Sequence, residues 1–202
     1  MKLKCLMIEY DIWEEDPFQH VVGADEVGRG SIAGPIVAAS ASINFEHLEH
    51  LQNVKDSKKI SAANREAIYE NINKTSVDIS YASASNLDID NMGINYCNKK
   101  VLSDVLLEYV NKDYLIYVDH VQDVGTGVTA LTKGEDKSIA IALASIMAKV
   151  YRDNFMVELS IKFPEYDLDN NKGYGTKKHL DAISKYGLQD FHRKSFLNNF
   201  TS

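Results

Sequence analysis

The 202-residue chain is short of several things, and each shortage narrows what it can be. It has two cysteines, Cys5 and Cys97, far apart in sequence. That is too few for a disulfide framework or a cysteine-built zinc site, so a reducing compartment is expected. It has three prolines, and no linker, internal repeat or low-complexity segment divides it. It lacks a long hydrophobic run: Ile139 to Ala148 is too short to span a bilayer and ends at Lys149. Met1 to Glu15 lacks the layout of a secretory leader, so a cytoplasmic location without membrane contact is expected. Positive charge is also scarce. Lys and Arg number 22 against 29 Asp and Glu, a net charge of −7 that argues mildly against non-specific nucleic-acid affinity.

What is present is ordinary in amount and uneven in placement. Hydrophobic residues at 45% and charged residues at 25% suit a soluble globular chain. The length predicts one domain over residues 1–202 with a sizeable core. Residues 172–194 carry Lys172, Lys177, Lys178, Lys185, Arg193 and Lys194 against Asp181 and Asp190, a net +4. The rest of the chain therefore holds −11. A basic C-terminal patch facing an acidic metal pocket reconciles that sign with a nucleic-acid substrate.

The chain is organised around residues 21–35. An apolar run, Val21 to Ala24, reads as a buried strand ending in two adjacent carboxylates, Asp25 and Glu26. Neighbouring side chains on a strand point to opposite faces, so both reach one ion only if the strand is ending there. Gly28 and Gly30 open backbone conformations closed to other residues, and Arg29 between them carries a planar fork suited to phosphate. Carboxylates for a hard cation beside a flexible, cationic loop point to phosphodiester chemistry. A plainer reading makes Asp25 and Glu26 solvated strand-end residues and the glycines a turn. A dinucleotide fingerprint, Gly28-x-Gly30-x-x-Ala33, also fits loosely. It is disfavoured because two carboxylates would repel a pyrophosphate, and Pro35-Ile-Val-Ala-Ala opens a second strand where a helix should start.

Patterning predicts strands over 18–26 and 35–43, joined as a hairpin, and leaves the type of 2–13 open. A connection of mixed character covers 44–55. Asp56-Ser57-Lys58-Lys59 precedes a helix starting at Ser61. A strand follows over 76–85, then one long amphipathic helix over 89–111 carrying Ile94, Cys97, Val101, Val105 and Val110. Residues 113–119 read as a buried strand delivering Asp119 at its end, and 128–132 as a short strand. A helix from about Ser138 to Ile161 has Glu135 and Asp136 before its N-terminus, where carboxylates are favourable in any protein. Ser145, Lys149, Arg152 and Asp153 can share part of one face of it. A last helix spans about Thr176 to Tyr186.

These stretches, in this order, resemble the ribonuclease HII family over nearly the whole chain. The residues that carry the likeness are Gly23-Ala24-Asp25-Glu26-Val27-Gly28-Arg29-Gly30, Asp56-Ser57-Lys58-Lys59, the strand ending in Asp119, and Lys133-Gly134 followed by acid. They continue with Ala144-Ser145-Ile146-Met147-Ala148-Lys149, Arg152-Asp153, Lys172-Gly173-Tyr174-Gly175-Thr176 and His192-Arg193-Lys194-Ser195-Phe196. The resemblance implies an α/β chain of ribonuclease H-like fold: a mixed sheet flanked by helices, with a helical, substrate-binding C-terminal segment over about 163–202. It implies a metal-dependent endonuclease acting on RNA–DNA hybrids or on ribonucleotides embedded in duplex DNA. The cut lies 5′ to a ribonucleotide and leaves a 3′-hydroxyl and a 5′-phosphate.

Carried over position by position, Asp25, Glu26 and Asp119 match the family's metal-binding carboxylates. The fourth acid departs from the family's Lys-Gly-Asp: Glu135 stands there, with Asp136 one residue on. An ungapped reading back from Ala144 favours Glu135, and a small shift of the helix start would bring Asp136 in instead. His120 is a second departure, where the family commonly has Gly. Gly28, Arg29, Gly30 and Tyr174 resemble the family's sensor of the RNA–DNA junction. Lys58, Ser145, Lys149 and Arg193 are expected phosphate contacts, which position rather than specify. Two Mg²⁺ or Mn²⁺ ions are the expected cofactors, since clustered carboxylates without Cys or His ligands suit hard cations. Rival readings are an inactive hybrid binder, opened by the Glu135 departure, and a DNA-junction nuclease of the same fold. Type III ribonuclease H is a substrate-level alternative; it usually carries an extra N-terminal substrate-binding domain, for which no room is expected before Asp25. A monomer is implied, and a partner such as a sliding clamp is not legible in the residues.

Overall fold

The computed structural model describes residues 7–54 and 60–197. Cys5 and the Asp56-Ser57-Lys58-Lys59 motif, with its expected phosphate contact Lys58, lie outside the described residues. In chain order the elements are α1 (Ile8–Glu15), β1 (Val21–Val27), β2 (Ile36–Ile43), α2 (Ala62–Ile72), β3 (Asp78–Ala84), α3 (Asn86–Met92) and α4 (Ile94–Leu106). There follow β4 (Leu115–Asp119), β5 (Val128–Leu131), α5 (Ile139–Lys162), α6 (Leu168–Asn171) and α7 (Lys177–Tyr186). The five strands form one mixed sheet in the order β3-β2-β1-β4-β5. β1 pairs antiparallel with β2 and parallel with β4, and β4 runs parallel to β5. Among the described residues, no helix is long and apolar enough to cross a membrane.

The alternation of β1 and β2 divides the core. Val21, Ala39, Ala41 and Ile43 pack with α1, α2 and α5 on one face of the sheet. Val22, Ala24, Ile36 and Ala38 pack with α4 on the other. The sheet and its flanking helices are those the resemblance implies, and the C-terminal part is helical, with its own small core around Tyr166, Leu168, Ile183 and Phe191.

Gly23 brings the longest helix against the sheet. A Cβ there would sit 2.2 Å from the backbone of Ala140 and Ile141, so only glycine admits α5 at this distance. α5 itself starts where expected, with the Ser138 hydroxyl capping the Ile141 amide.

The expected long helix over 89–111 is two helices. Gly93, at φ 83°, ends α3 and starts α4. Its backbone breaks the ladder, while Ile89, Cys97 and Val101 keep an apolar stripe running through the break. Apolar spacing cannot register such a bend. The uncertain N-terminal stretch contains α1, whose Trp13 is buried, and 44–55 contains a 3₁₀ segment, Phe45–Leu51.

Candidate active site

The parallel pairing of β1 with β4 stops near the end of β4, while β1 runs on against β2 to Val27. Ala24 pairs with Val118, which sets Asp25 next to Asp119. Ligands of open α/β sheets bind at such carboxyl ends. A cleft of about 400 Å³ opens there, lined by Asp25, Glu26, Asp119 and Glu135 together with Arg65, Ser145 and Lys149.

Asp25 and Glu26 do point to opposite faces. Asp25 turns towards α5 and accepts a hydrogen bond from Ser145, one helical turn beyond the Ile141 that Gly23 admits. Glu26 turns towards α4, where the Asn98 amide bonds it. Both nevertheless line the cleft, which opens where β1 has parted from β4. Asp119 is fixed by the Gly134 amide, which donates to its Oδ1 at 2.6 Å. That bond ties the end of β4 to the 3₁₀ turn Gly134–Asp136, and the turn presents Glu135 to the cleft. Asp136 is exposed and is not among the lining residues.

The carboxylates crowd one another. Burial, aided by the nearby charges of Glu26 and Glu135, pushes the Asp25 carboxyl up to about 8. Burial also raises Glu26. The Glu26 Oε2 atom is buried without a hydrogen-bond partner. An all-oxygen, acidic donor set with one orphaned buried oxygen fits a hard divalent cation in type and charge. Among the described residues, no three acidic, histidine or cysteine side chains are already drawn into ligating geometry.

A second cleft adjoins the first, where Arg29, His120 and Lys133 join Asp25, Glu26 and Asp119. His120 sits at φ 57°, a left-handed conformation that explains a preference for glycine at that point. Arg29 is exposed, and its Nη2 donates to Asn95 Oδ1 at 2.9 Å. Gly28 lies at φ 89°, and a Cβ there would meet the Arg152 side chain at 2.2 Å. Over Gly30 the space is open.

Two buried arginines hold this loop. Arg152 donates to the carbonyls of Pro35, Lys172 and Ala33, and its guanidinium lies 5.8 Å from the centre of the Tyr174 ring. Arg193 donates to the carbonyls of Gly34 and Arg29. Arg193 is fully buried, so the structure puts this expected phosphate contact inside the protein as a brace for the glycine loop. Pairing of its Nε and Nη1 with backbone carbonyls offsets part of the cost of that burial, while Nη2 is buried without a partner. Tyr174 stays part-exposed on the same side. Ser145 and Lys149 lie at the cleft as expected, with Lys149 also paired to Asp153 at 2.6 Å.

Sequence reasoning missed Arg65, Asn95 and Asn98. Arg65 read as an ordinary residue of α2, yet it lines the carboxylate cleft while Nη1 donates to the Ile60 carbonyl. Its position four residues beyond the Ser61 cap carries no chemical signal. Asn98 is buried within the apolar stripe of α4 and Asn95 is exposed beside it, and neither carries a motif.

The ribonuclease HII family profile matches residues 22–199. A ribonuclease HII of Clostridium beijerinckii is 41% identical over 184 residues, which is 89% of this chain and 68% of that protein. The fold is similar to that of ribonuclease HII from Archaeoglobus fulgidus, solved as a PCNA:RNase HII complex, with a TM-score of 0.74 and 26% identity over 90% of this chain and 96% of that one. It is also similar to ribonuclease H2 from Pyrococcus horikoshii, with a TM-score of 0.73 and 25% identity over 90% and 99% of the two chains. With a ribonuclease H-like sheet, acids at its carboxyl edge and these relatives, the chain belongs to the ribonuclease HII family and is an endoribonuclease.

Proposed function

We propose that the protein hydrolyses the RNA strand of RNA–DNA hybrids and cuts 5′ to ribonucleotides embedded in duplex DNA, using Mg²⁺ or Mn²⁺. The observation that carries this reading is the meeting of two features at one edge of the sheet. Asp25, Glu26, Asp119 and Glu135 line one cleft, and the Gly28–Gly30 loop stands beside it, braced against the segment that carries Tyr174.

Asp25, Glu26, Asp119 and Glu135 would hold the metal. Bound there, it would supply an activated water and stabilise the leaving 3′-oxygen. The chain's own residues supply placement. Ser145 orients the Asp25 carboxylate, and the Gly134 amide orients Asp119. Lys149 and Arg65 put positive charge on the rim of the cleft, where a phosphodiester backbone must pass. The open space over Gly30 lets a nucleotide approach the backbone closely. A 2′-hydroxyl is what distinguishes RNA from DNA at one position, and backbone groups of the loop together with Tyr174 would read it.

The direct test is a labelled RNA strand annealed to DNA, incubated with Mg²⁺, with Mn²⁺ and with chelator. Cleavage in metal alone, with 3′-hydroxyl and 5′-phosphate ends, is expected. Cleavage that persists in chelator, or 2′,3′-cyclic ends, would overturn the metal-dependent mechanism.

A further inference from the structure

His192, within the His-Arg-Lys-Ser-Phe stretch, has no part in the chemistry above. Its side chain is nevertheless completely buried, as is that of His179. The two rings place their Nε2 atoms 3.2 Å apart. Neutral imidazoles share such a contact only if one nitrogen carries hydrogen and the other a lone pair. The surroundings decide which. His179 Nδ1 lies 3.0 Å from the Tyr174 carbonyl oxygen, which can only accept, so the proton is on Nδ1 and Nε2 is bare. His192 Nδ1 accepts the Gln189 amide at 2.9 Å, so its proton is on Nε2. The Gln189 carbonyl approaches the same nitrogen at 3.3 Å, a longer contact that would demand the opposite tautomer. The shorter bond and the needs of His179 agree.

A single directed line of hydrogen bonds results: Gln189 N–H to His192, His192 to His179, and His179 to the Tyr174 carbonyl. The backbone carries it onward. His192 bridges to Ala33, and the Arg193 amide donates to the Ile32 carbonyl at 2.8 Å. The Arg193 guanidinium then reaches Arg29 in the glycine loop. Tyr166 stands edge-on to both imidazoles; its hydroxyl donates to the Gly187 carbonyl and accepts from the Gln189 side-chain amide. From the other side Asn86 of α3 holds the His192 carbonyl.

We propose that the buried His179–His192 pair is a positioning element of the ribonucleotide sensor, fixing Tyr174 relative to the Gly28–Gly30 loop. This rests on the reading of that loop and Tyr174 as the sensor. An apolar pair would fill the same space but let the two segments slide, whereas a chain of directed bonds sets one distance.

The test compares the kcat/KM ratio for a one-ribonucleotide duplex against a continuous hybrid in wild type, H192F and H192Q. H192F keeps a ring and removes both nitrogens. Its ratio is expected to fall about tenfold or more, as slight misplacement of reacting groups does. H192Q returns an amide donor towards His179 and should recover most of the loss. An unchanged ratio in folded H192F, or an equal loss on both substrates, would overturn the proposal. If H192F does not fold, H192Q against H192N makes the same comparison: Asn restores only the acceptor towards Gln189, so the proposal requires it to be the worse of the two. Nitrogen-15 NMR of the wild-type imidazoles reads the tautomers directly. Nδ1–H at position 179 and Nε2–H at 192 are expected, and the reverse breaks the relay. If wild type cuts both substrates alike or neither, the sensor reading fails, and the tautomers still judge the relay separately.

Discussion

Asp25 shows most clearly how single residues set the behaviour of the site. Its carboxyl keeps a proton up to about 8, against 3.8 for a free side chain, because it is buried beside Glu26 and Glu135. Between those two values the folded chain binds more protons than the unfolded one, so this group lowers stability as pH rises through the window. Asp25→Asn removes that penalty. In chelator at about pH 8 the variant should melt higher than wild type, by about 2–4 °C for each kcal/mol relieved. In metal its turnover should fall about 100-fold or more. A melting temperature below wild type in chelator would contradict the crowding argument. For the fourth acid, Glu135→Gln should disable cleavage and Asp136→Asn should leave it near wild type, since only Glu135 lines the cleft. At this scale Asp25, Glu26 and Asp119 were legible as acids closing apolar runs, while their grouping with Glu135 came from the family resemblance, because a strand-end acid alone is equally a solvated residue. The role of Arg193 was not legible: whether a guanidinium meets phosphate or buried carbonyls depends on residues such as Gly34 and Arg29, 159 and 164 positions away.

At the scale of elements, the site depends on how closely α5 lies on β1. Gly23→Ala forces a methyl to 2.2 Å from the helix backbone. The change should cost about 3 kcal/mol or more, since backbone cannot yield as a side chain does. It should also impair cleavage by moving Ser145 away from Asp25, even in the fraction that stays folded. Urea unfolding and kinetics on the same preparation check both. α2 contributes a cation that its pattern concealed. Arg65→Ala should weaken substrate binding and flatten its salt dependence by about one unit of slope, as loss of one phosphate contact does. Binding by the Asp25→Asn background, with and without the Arg65 change, across a salt series reads this without cleavage. Most element boundaries were legible from caps and apolar spacing, as at Ser138 and Thr176, whose hydroxyls cap α5 and α7. The break at Gly93 was not, because the stripe of Ile89, Cys97 and Val101 runs straight through it and only the backbone turns.

Across the whole molecule, acid and base tune stability in opposite directions. Burial and the neighbouring His179 lower His192 to about 4, against 6.5 for a free imidazole, and Asp167 is the charge that favours protonating His179. Here the unfolded chain binds the extra proton, so stability rises with pH between those values and is lost as pH falls through them, at up to about 1.4 kcal/mol per unit. In wild type the Asp25 slope runs against it. In Asp25→Asn that opposing contribution is gone, and adding His192→Gln should make the remaining rise of stability with pH shallower; denaturant titrations from about pH 4.5 to 6.5 decide. The net −7 of the chain is likewise a sum of opposed parts, with acids gathered at the sheet edge and basic residues along the C-terminal segment. The central claim is that these parts form one metal-dependent site that recognises a ribonucleotide. It is tested most directly by a labelled DNA duplex containing a single ribonucleotide, in Mg²⁺ and then Mn²⁺, beside an all-DNA duplex and the Asp25→Asn variant. A cut immediately 5′ to the ribonucleotide, absent from both controls, is predicted. Equal cutting of the all-DNA duplex, or a duplex that binds and is cut in neither metal, would contradict the account.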